Sequence, residues 1–496
     1  MYGVLTSDAE LNALGVGEGH ADSAQVLFTT QQRIEKHLDG GSFESADEFF
    51  YQSRPRAVRI WDESWLPGQG LIVNRDEFGF LFQPLRPAYP ELAAILDGLF
   101  YELLNAEDGH RFELPDFVED TGVELNDVLR LLETERDNLE RSLREDQRTA
   151  LSALWFLSGK TVTVRRDGKY GATMLDYRET LPEDLAPLLV TDASGRVRET
   201  YAEMEKGKSN IQRLTAAPKK YDRLTVHVWR RGGGKSGWHK NGQELADGIA
   251  STINSKPAEE WLIVIHRPDS RVGKIEDRIR SLVSADQDKL HFIPWGRHMA
   301  TNAYSLVKNV ILAGTLFYRP SFYEALGRLS AGFRSKQGTY PLRDAKRIEL
   351  GESRHGVLQA SCRGSVRLSD GVNCHPCELY LIASPRSGIP AAMPDIFPDC
   401  KVVPWTPVKR ALRGKVKEAV EYVQTRIGSG EEYVPFKDIK KVLGITDNSN
   451  FRTDVRLHSD FRAEMDDLGL IEWGKGQRFT GLRVSDASLF GLFADD

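Results

Sequence analysis

Short apolar runs rich in β-branched and aromatic residues punctuate this chain, and longer helical stretches separate them. Val26–Phe28, Ala57–Trp61, Val162–Val164, Leu188–Val190, Leu224–Trp229, Trp261–Ile265, His291–Pro294, Val310–Leu312 and Leu379–Ile382 are runs of this kind. Runs so bare suit strands buried on both faces, the state of a parallel sheet beneath helices. Their alternation with helical stretches predicts an α/β chain built on mostly parallel, helix-covered sheets. From Tyr89 to Leu157 the pattern turns helical, with Leu129, Leu131, Leu132, Leu139 and Leu143 near helical spacing among many charges. This stretch reads as a helical insertion within or beside the first α/β unit.

Near Pro404–Pro407 the composition shifts, and Lys409, Arg410, Arg413, Lys415 and Lys417 form a basic run leading into a helix. Beyond it, Phe436–Leu443 reads as a short helix with Gly444 as its stop and Asn448 as the next start. Leu470–Trp473 and Arg478–Val484 then flank Gly474-Lys475-Gly476 as a hairpin. That order predicts a winged helix. Its nucleic-acid contacts would come from Arg452, Arg456 and Lys475, mostly to phosphates. Winged helices also dock proteins, so that reading stands beside the first.

Size and charge bound the function. At 496 residues the chain holds about three domains. A net charge of −6 excludes a wholly basic nucleic-acid coat but not a local basic channel. No apolar run approaches about 18 residues, so no membrane span is expected. No secretory signal is legible, and four cysteines in so long a chain are no disulfide framework, which points to a cytoplasmic protein.

Two stretches carry chemistry. The strand Arg56–Trp61 runs into Asp62-Glu63. In an open α/β sheet, ligands sit beyond the carboxyl ends of strands. Asp62 placed there would hold Mg²⁺ through water, and Glu63 would orient an attacking water. The plainer alternative is a strand-terminal acidic turn. Gln359, Arg363 and Arg367 fall at i, i+4 and i+8, on one face if helical. Such a row can offer arginines to a phosphoryl group in transfer; a solvated basic face is the alternative.

The order of these pieces resembles the superfamily-two helicases, the DEAD/DEAH-related group. Val26-Leu27-Phe28-Thr29-Thr30 resembles their strand-plus-threonine motif, and Asp62-Glu63-Ser64 resembles their DExx box. Leu189-Val190-Thr191-Asp192-Ala193-Ser194 is similar to the motif that couples hydrolysis to the lobes. Trp261–His266 looks like the first segment of the second lobe, and Ala300-Thr301-Asn302 before Val310–Leu312 looks like a nucleic-acid-contacting motif. Gln359, Arg363 and Arg367 resemble the final Gln-x-x-x-Arg motif, although Arg367 falls eight residues after the glutamine, where the family has seven.

The resemblance covers roughly residues 25–385. It implies two RecA-like lobes, the first incomplete, and the domain plan is 1–88 partial first lobe, 89–158 helical insertion, 159–200 return to the first lobe, 201–405 second lobe and 406–496 winged helix. It implies ATP and Mg²⁺ as cofactors and a nucleic acid, DNA over RNA, as partner. Asp192 and Ser194 would couple hydrolysis to motion, while Thr29, Thr30, Thr301 and Asn302 would grip the backbone.

A phosphate-cradling G-x-x-x-x-G-K-S/T loop is not legible. Leu154–Thr161 and Gly232–Ser236 each lack the first glycine and follow the DExx box, where the family's loop precedes it. The chain is therefore expected to be an N-terminally incomplete helicase, weak in ATP binding by itself. The competing class is a non-enzymatic DNA-binding scaffold with a vestigial motor fold. A third option is a zinc-stabilised adaptor. Cys362, Cys374, Cys377 and Cys400, spaced by 12, 3 and 23, would ligate one tetrahedral Zn²⁺, against a reading of buried cysteines and a loop.

Overall fold

The computed structural model describes all residues except 1, 17, 137–144, 169–170, 208–210, 217–218, 270–271, 298–301, 409–411, 476–477 and 485–496. Leu139, Leu143, Thr301, Lys409 and Arg410 thus lie outside the described residues. The chain forms two compact units: Met1–Leu214 with Tyr318–Glu349, and Thr215–Phe317 with Leu350–Asp496.

The first unit contains two short parallel pairs. β1 (Tyr2–Leu5) pairs with β2 (Val26–Thr29). β3 (Ile60–Asp62) pairs with β8 (Leu189–Thr191), matching Ile60 to Leu189, Trp61 to Val190 and Asp62 to Thr191. The side-chain period of two then sorts these strands. Trp61 is buried with Leu5, Leu38, Phe43 and Phe49, and Leu27 and Val190 pack on the same cluster. The alternate residues Val26, Phe28, Ile60 and Leu189 are exposed.

A four-stranded sheet in this unit is antiparallel, and of its strands only the run Val162–Val164 is legible in the sequence. It comprises β4 (Gly68–Asn74), β5 (Arg111–Glu113), β6 (Thr161–Arg166) and β7 (Ala172–Glu179) in the order β4-β7-β6-β5. The expected helical stretch supplies the helices Pro90–Asn105, Leu125–Arg136 and Glu145–Leu157. Leu92, Leu96, Leu99, Leu151 and Leu154 from these helices share one core with Val73, Val162, Val164 and Met174 of the sheet.

The helix Pro320–Ala331 packs on β4, where a Cβ on Gly70 would stand 3.1 Å from the Leu326 amide. Arg328 on this helix is wholly buried, and its Nε donates to Glu324 Oε1 at 2.9 Å. Both Arg328 terminal nitrogens donate to the Gly338 carbonyl at 3.2 Å. Arg165 on β6 also pairs with Glu324. Removing one member would strand a buried charge, a costly change.

The second unit holds the parallel sheet that the apolar runs predict. β9 (Leu224–Trp229), β10 (Trp261–Ile265), β11 (Leu290–Pro294), β12 (Asn309–Leu312), β13 (Cys377–Ile382) and β14 (Lys401–Pro404) lie in the order β11-β10-β12-β13-β9-β14. All neighbours are parallel. β10 and β12 are buried at every residue, as strands covered on both faces must be. The helix Lys235–Asn254 covers the sheet, and Trp238 Nε1 on it donates to the Ala313 carbonyl at 2.8 Å.

The carboxyl-terminal module of this unit is a three-stranded antiparallel sheet, β15 (Tyr433–Pro435), β16 (Leu470–Lys475) and β17 (Arg478–Val484), ordered β15-β17-β16. The helices Gly414–Gly428, Phe436–Val442, Asn448–Phe451 and Ser459–Asp467 accompany it. Val416, Val420, Val434, Ile439, Phe461 and Leu482 are among its core residues. The cap before Asn448–Phe451 is Asp447, whose carboxylate accepts from the Ser449 amide at 3.0 Å; Asn448 is the first helical residue. An Asp one residue earlier satisfies the orphan amides equally well. Among the described residues no helix is long and apolar enough to cross a membrane.

Candidate functional site: the carboxyl end of the β3–β8 pair

Register explains the site of the first unit. Because β3 and β8 run parallel with Asp62 opposite Thr191, both strands deliver polar residues at the same end. Trp61 anchors β3, 6 % exposed, with its Nε1 donating to the Ser64 carbonyl at 3.2 Å. Asp62 on the opposite face is exposed, and Thr191 Oγ1 donates to its Oδ1 at 2.9 Å. The backbone then turns sharply: Glu63 has φ 71°, and its amide donates to the Thr191 carbonyl at 3.0 Å. A non-glycine residue in this left-handed region stores strain, which is found disproportionately at functional turns. Gln31 Nε2 holds the Asp62 carbonyl at 2.6 Å.

The turn after β8 is tied to the turn after β3. Asp192 Oδ1 accepts from the Ser194 amide at 2.7 Å and from the Ser194 hydroxyl at 2.6 Å. Asp192 Oδ2 accepts from the Tyr201 hydroxyl at 2.9 Å, and that hydroxyl accepts from the Trp65 amide at 2.9 Å. Burial pushes the Tyr201 phenol well above its ordinary range, and the Asp192 charge adds to the effect. Tyr201 therefore stays protonated and remains a donor to Asp192 at any physiological pH. Tyr201 and Gln31 have no part in the sequence motifs, and Thr191 enters only as a member of the Leu189–Ser194 motif, with no role of its own. Thr191 alone had a signal, as the residue closing a strand of the same kind as β3.

One Asp62 oxygen takes the Thr191 hydroxyl, and the exposed carboxylate leaves the other for a hydrated cation. These residues fit a water-mediated Mg²⁺ with Asp62 as its holder, a cation that would neutralise phosphate charge. Among the described residues no three His, Cys, Asp or Glu side chains are gathered to enclose a metal directly.

The threonines of the first motif are otherwise engaged. Thr29 Oγ1 donates to the Leu5 carbonyl at 2.7 Å, and Thr30 caps the helix Gln31–Leu38 by accepting from the Arg33 amide at 3.2 Å. Both sit half-buried.

In the second unit the glutamine–arginine row is not on one helix face. The helix Leu342–Ser361 ends before Arg363. The chain tightens there: Arg363 N bonds the Ala360 carbonyl at 3.3 Å, and Arg367 lies on the separate turn Ser365–Arg367. Gly364 explains the break, since a Cβ there would stand 2.4 Å from Val310 Cγ2 and 3.0 Å from the Val307 carbonyl. Arg363 is 4 % exposed, and its Nη2 donates to Gln359 Oε1 at 3.1 Å. Arg367 is exposed, and its Nη1 donates to Asn302 Oδ1.

Both glycine-lysine stretches have plain roles. Leu154–Leu157 is helical and Thr161 opens β6, so the first runs helix to strand, the reverse of a phosphate loop. Gly232–Gly234 does join β9 to a helix, but Lys235 pairs with Asp269 at 2.8 Å. The Gly233 carbonyl accepts from the buried His266 Nε2 at 3.0 Å. Burial pushes the His266 imidazole down to about 4.

The zinc expectation is not met. The four cysteines form no disulfide, Cys374 and Cys377 are buried, and among the described residues no three of them converge as ligands. Burial pushes Cys377 up to about 12 and Cys400 up to about 11. Cys362 ends up in the tight turn after the helix and Cys377 opens β13, so their backbones serve other elements.

In the carboxyl-terminal module Arg452 is exposed. Arg456 is held instead by Glu472 at 2.7 and 3.0 Å, with its guanidinium near the Phe436 and Phe479 rings. Lys475 closes β16.

No protein-family model matches this chain, and no curated protein matches it. Solved structures to which the chain is similar include three of XPD proteins. An apo XPD structure is 12 % identical with a TM-score of 0.40, covering 82 % of this chain and 86 % of its own. An XPD helicase structure is 12 % identical with a TM-score of 0.39, covering 77 % and 73 %. The Xpd4 structure from S. tokodaii is 10 % identical with a TM-score of 0.38, covering 81 % and 85 %.

Proposed function

We propose that this chain has the motor fold of a superfamily-two helicase, a fold that couples ATP hydrolysis to movement on nucleic acid, and that by itself it binds and hydrolyses ATP weakly, because neither glycine-lysine stretch forms a phosphate loop. One observation carries the reading. The parallel β3–β8 register puts Asp62 opposite Thr191, with their side chains bonded at 2.9 Å, and brings Glu63 and Asp192 out at the same strand ends. A cation holder, a water-orienting carboxylate and a coupling turn need that adjacency, and two residues 129 positions apart in sequence acquire it only through this pairing. Asp62 would hold a Mg²⁺, which would neutralise phosphate charge, and Glu63 would orient the attacking water. The Asp192–Ser194 turn, fastened by Tyr201, senses the change in charge. Arg363 and Gln359 serve the second unit, and Arg367 with Asn302 faces the nucleic acid. The carboxyl-terminal module has the strand order of a winged helix and favours DNA through Arg452, with Arg456 and Lys475 flanking it.

The second reading is a nucleic-acid-binding scaffold without hydrolysis. It is favoured by the burial of Arg363 and its bond to Gln359, which keep that arginine from an external phosphate in this state. Nucleic-acid-stimulated ATP hydrolysis by the chain, beside Glu63→Gln, separates the two. Hydrolysis abolished by Glu63→Gln supports the motor. Binding to an oligonucleotide with no hydrolysis in either protein supports the scaffold, and failure to bind refutes both.

A further inference from the structure

One face of the short parallel strands in the first unit is bare. Leu5, Leu27, Trp61 and Val190, one from each of β1, β2, β3 and β8, belong to a single hydrophobic cluster. Strand alternation puts Tyr2, Val26, Phe28, Ile60 and Leu189 on the opposite side. These five are 47–62 % exposed, and Tyr2 meets Phe28 edge to face at 6.0 Å. The two strand pairs are tied to each other. Arg56, ahead of β3, donates through Nη1 to the Gln25 carbonyl ahead of β2 at 2.9 Å, and Gln31 beyond β2 donates to the Asp62 carbonyl at 2.6 Å. The exposed apolar side chains therefore share one side and run up to the Asp62–Thr191 end.

A parallel sheet is normally covered by helices on both faces, as β10 and β12 of the second unit are. A contiguous exposed apolar surface marks an interaction site. Strand direction identifies the occupant. Among the described residues β8 pairs with β3 alone, so its other edge is open to a further strand. A strand added there in parallel leads at its carboxyl end into a crossover helix that packs back on the sheet. The inner face is already filled by the cluster around Trp61, so that helix lies on the bare one. It begins beside Asp62, Glu63 and Asp192 and covers Leu189 and Ile60 on its way back. Its first amides and the positive end of its dipole then stand where a phosphate is wanted.

We propose that this face binds a second polypeptide that adds a strand beside β8 and a helix with an apolar stripe, joined by a glycine- and lysine-bearing phosphate loop. Neither glycine-lysine stretch of this chain forms such a loop. The charges match: a cradle of amides and a lysine meets the carboxylates of Asp62, Glu63 and Asp192. A second copy of this chain would cover the apolar residues but supply no loop. This rests on the motor reading above and names the partner of the same site.

The test places photoreactive p-benzoylphenylalanine at Ile60, at Phe28 or, as a control, at Tyr101, an exposed aromatic on the helix Pro90–Asn105. The full chain is irradiated in its native host and the linked peptides are sequenced. Ile60 and Phe28 should link to another polypeptide, in the segment that follows a G-x-x-x-x-G-K-S/T sequence, and Tyr101 should not. The purified pair should bind a fluorescent ATP analogue about ten-fold tighter than either protein alone. Phe28→Lys with Ile60→Lys should weaken the pair by about ten-fold or more. Both side chains are exposed, so the melting temperature of the chain alone should stay unchanged. Tyr101→Lys should leave the pair intact.

Links to a second copy of this chain, to a polypeptide without that sequence, or to nothing would overturn the docking face. So would equal linking at Tyr101, or a pair that binds the analogue no tighter than its parts. If the pair forms and binds the analogue, but shows no nucleic-acid-stimulated hydrolysis that Glu63→Gln removes, the motor reading falls and the docking face stands.

Discussion

Replacing Gly364 with alanine tests whether the turn carrying Arg363 and Arg367 is set by one close approach. The glycine backbone is at φ −87°, ordinary for any residue, so alanine meets no conformational penalty. The obstacle is space, because the new methyl would lie 2.4 Å from Val310 Cγ2 and 3.0 Å from the Val307 carbonyl. That carbonyl also accepts from the Ser365 amide at 2.8 Å, so moving one contact disturbs the other. Overpacking a filled site costs about 1–3 kcal/mol. Alanine returns about 0.4–1 kcal/mol by restricting the unfolded chain. The net loss therefore lies between about 0 and 2.6 kcal/mol, centred near 1.3.

Val310 is fully buried on β12, so Val310→Ala should also destabilise, by leaving a void. Together the two changes should cost less than their sum by about 1 kcal/mol, because the new methyl fills the space the valine leaves. Native-state hydrogen exchange of Val307–Leu312 is the suitable assay, since local opening is resolved even where a chain of several units does not unfold in one step. A Gly364→Ala protein as protected as the parent would refute the steric argument. Strict additivity with Val310→Ala would refute it as well.

The Glu63 turn gives a second outcome. At φ 71° a side chain with a Cβ is strained, so Glu63→Gly should be more stable than Glu63→Ala by about 1 kcal/mol, measured by thermal unfolding. The reverse order would show that the turn is not strained. His266 gives a pH dependence. Its folded value, about 4, lies below the ordinary 6.5, so the unfolded chain takes up the proton first. Its contribution is full above about 6.5 and is lost as pH falls toward 4, by an amount of the order of 3 kcal/mol. His266→Gln should flatten this part of the acid limb of urea unfolding between pH 7 and pH 4; an unchanged slope would refute the assignment.

Much of the second unit was legible because its strands are buried on both faces. Trp261–Ile265 and Val310–Leu312 can be little else, and the structure puts both at the centre of a parallel sheet. Of the antiparallel sheet of the first unit only Val162–Val164 in β6 was legible. β4 opens with Gly68-Gln69-Gly70, and Gly70 is dictated by the approach of the helix Pro320–Ala331, more than 200 residues further along the chain. Local propensity holds no trace of such a contact.

The site divides in the same way. Asp62 and Glu63 announce themselves as carboxylates ending an apolar strand, and that much belongs to the sequence. That Thr191 bonds Asp62, and that Tyr201 ties Asp192 to the Trp65 amide, follows from a strand pairing between segments far apart. The row Gln359, Arg363, Arg367 shows the converse: helical spacing is a local inference, and Gly364 overrides it by pressing against β12. The sequence by itself determined which residues have the chemistry and which runs must be buried, since both depend on side-chain type and local period. Only the tertiary structure decided which carboxylates and arginines meet, where each helix stops and what each cysteine does, because those depend on backbone approaches between residues with no sequence proximity.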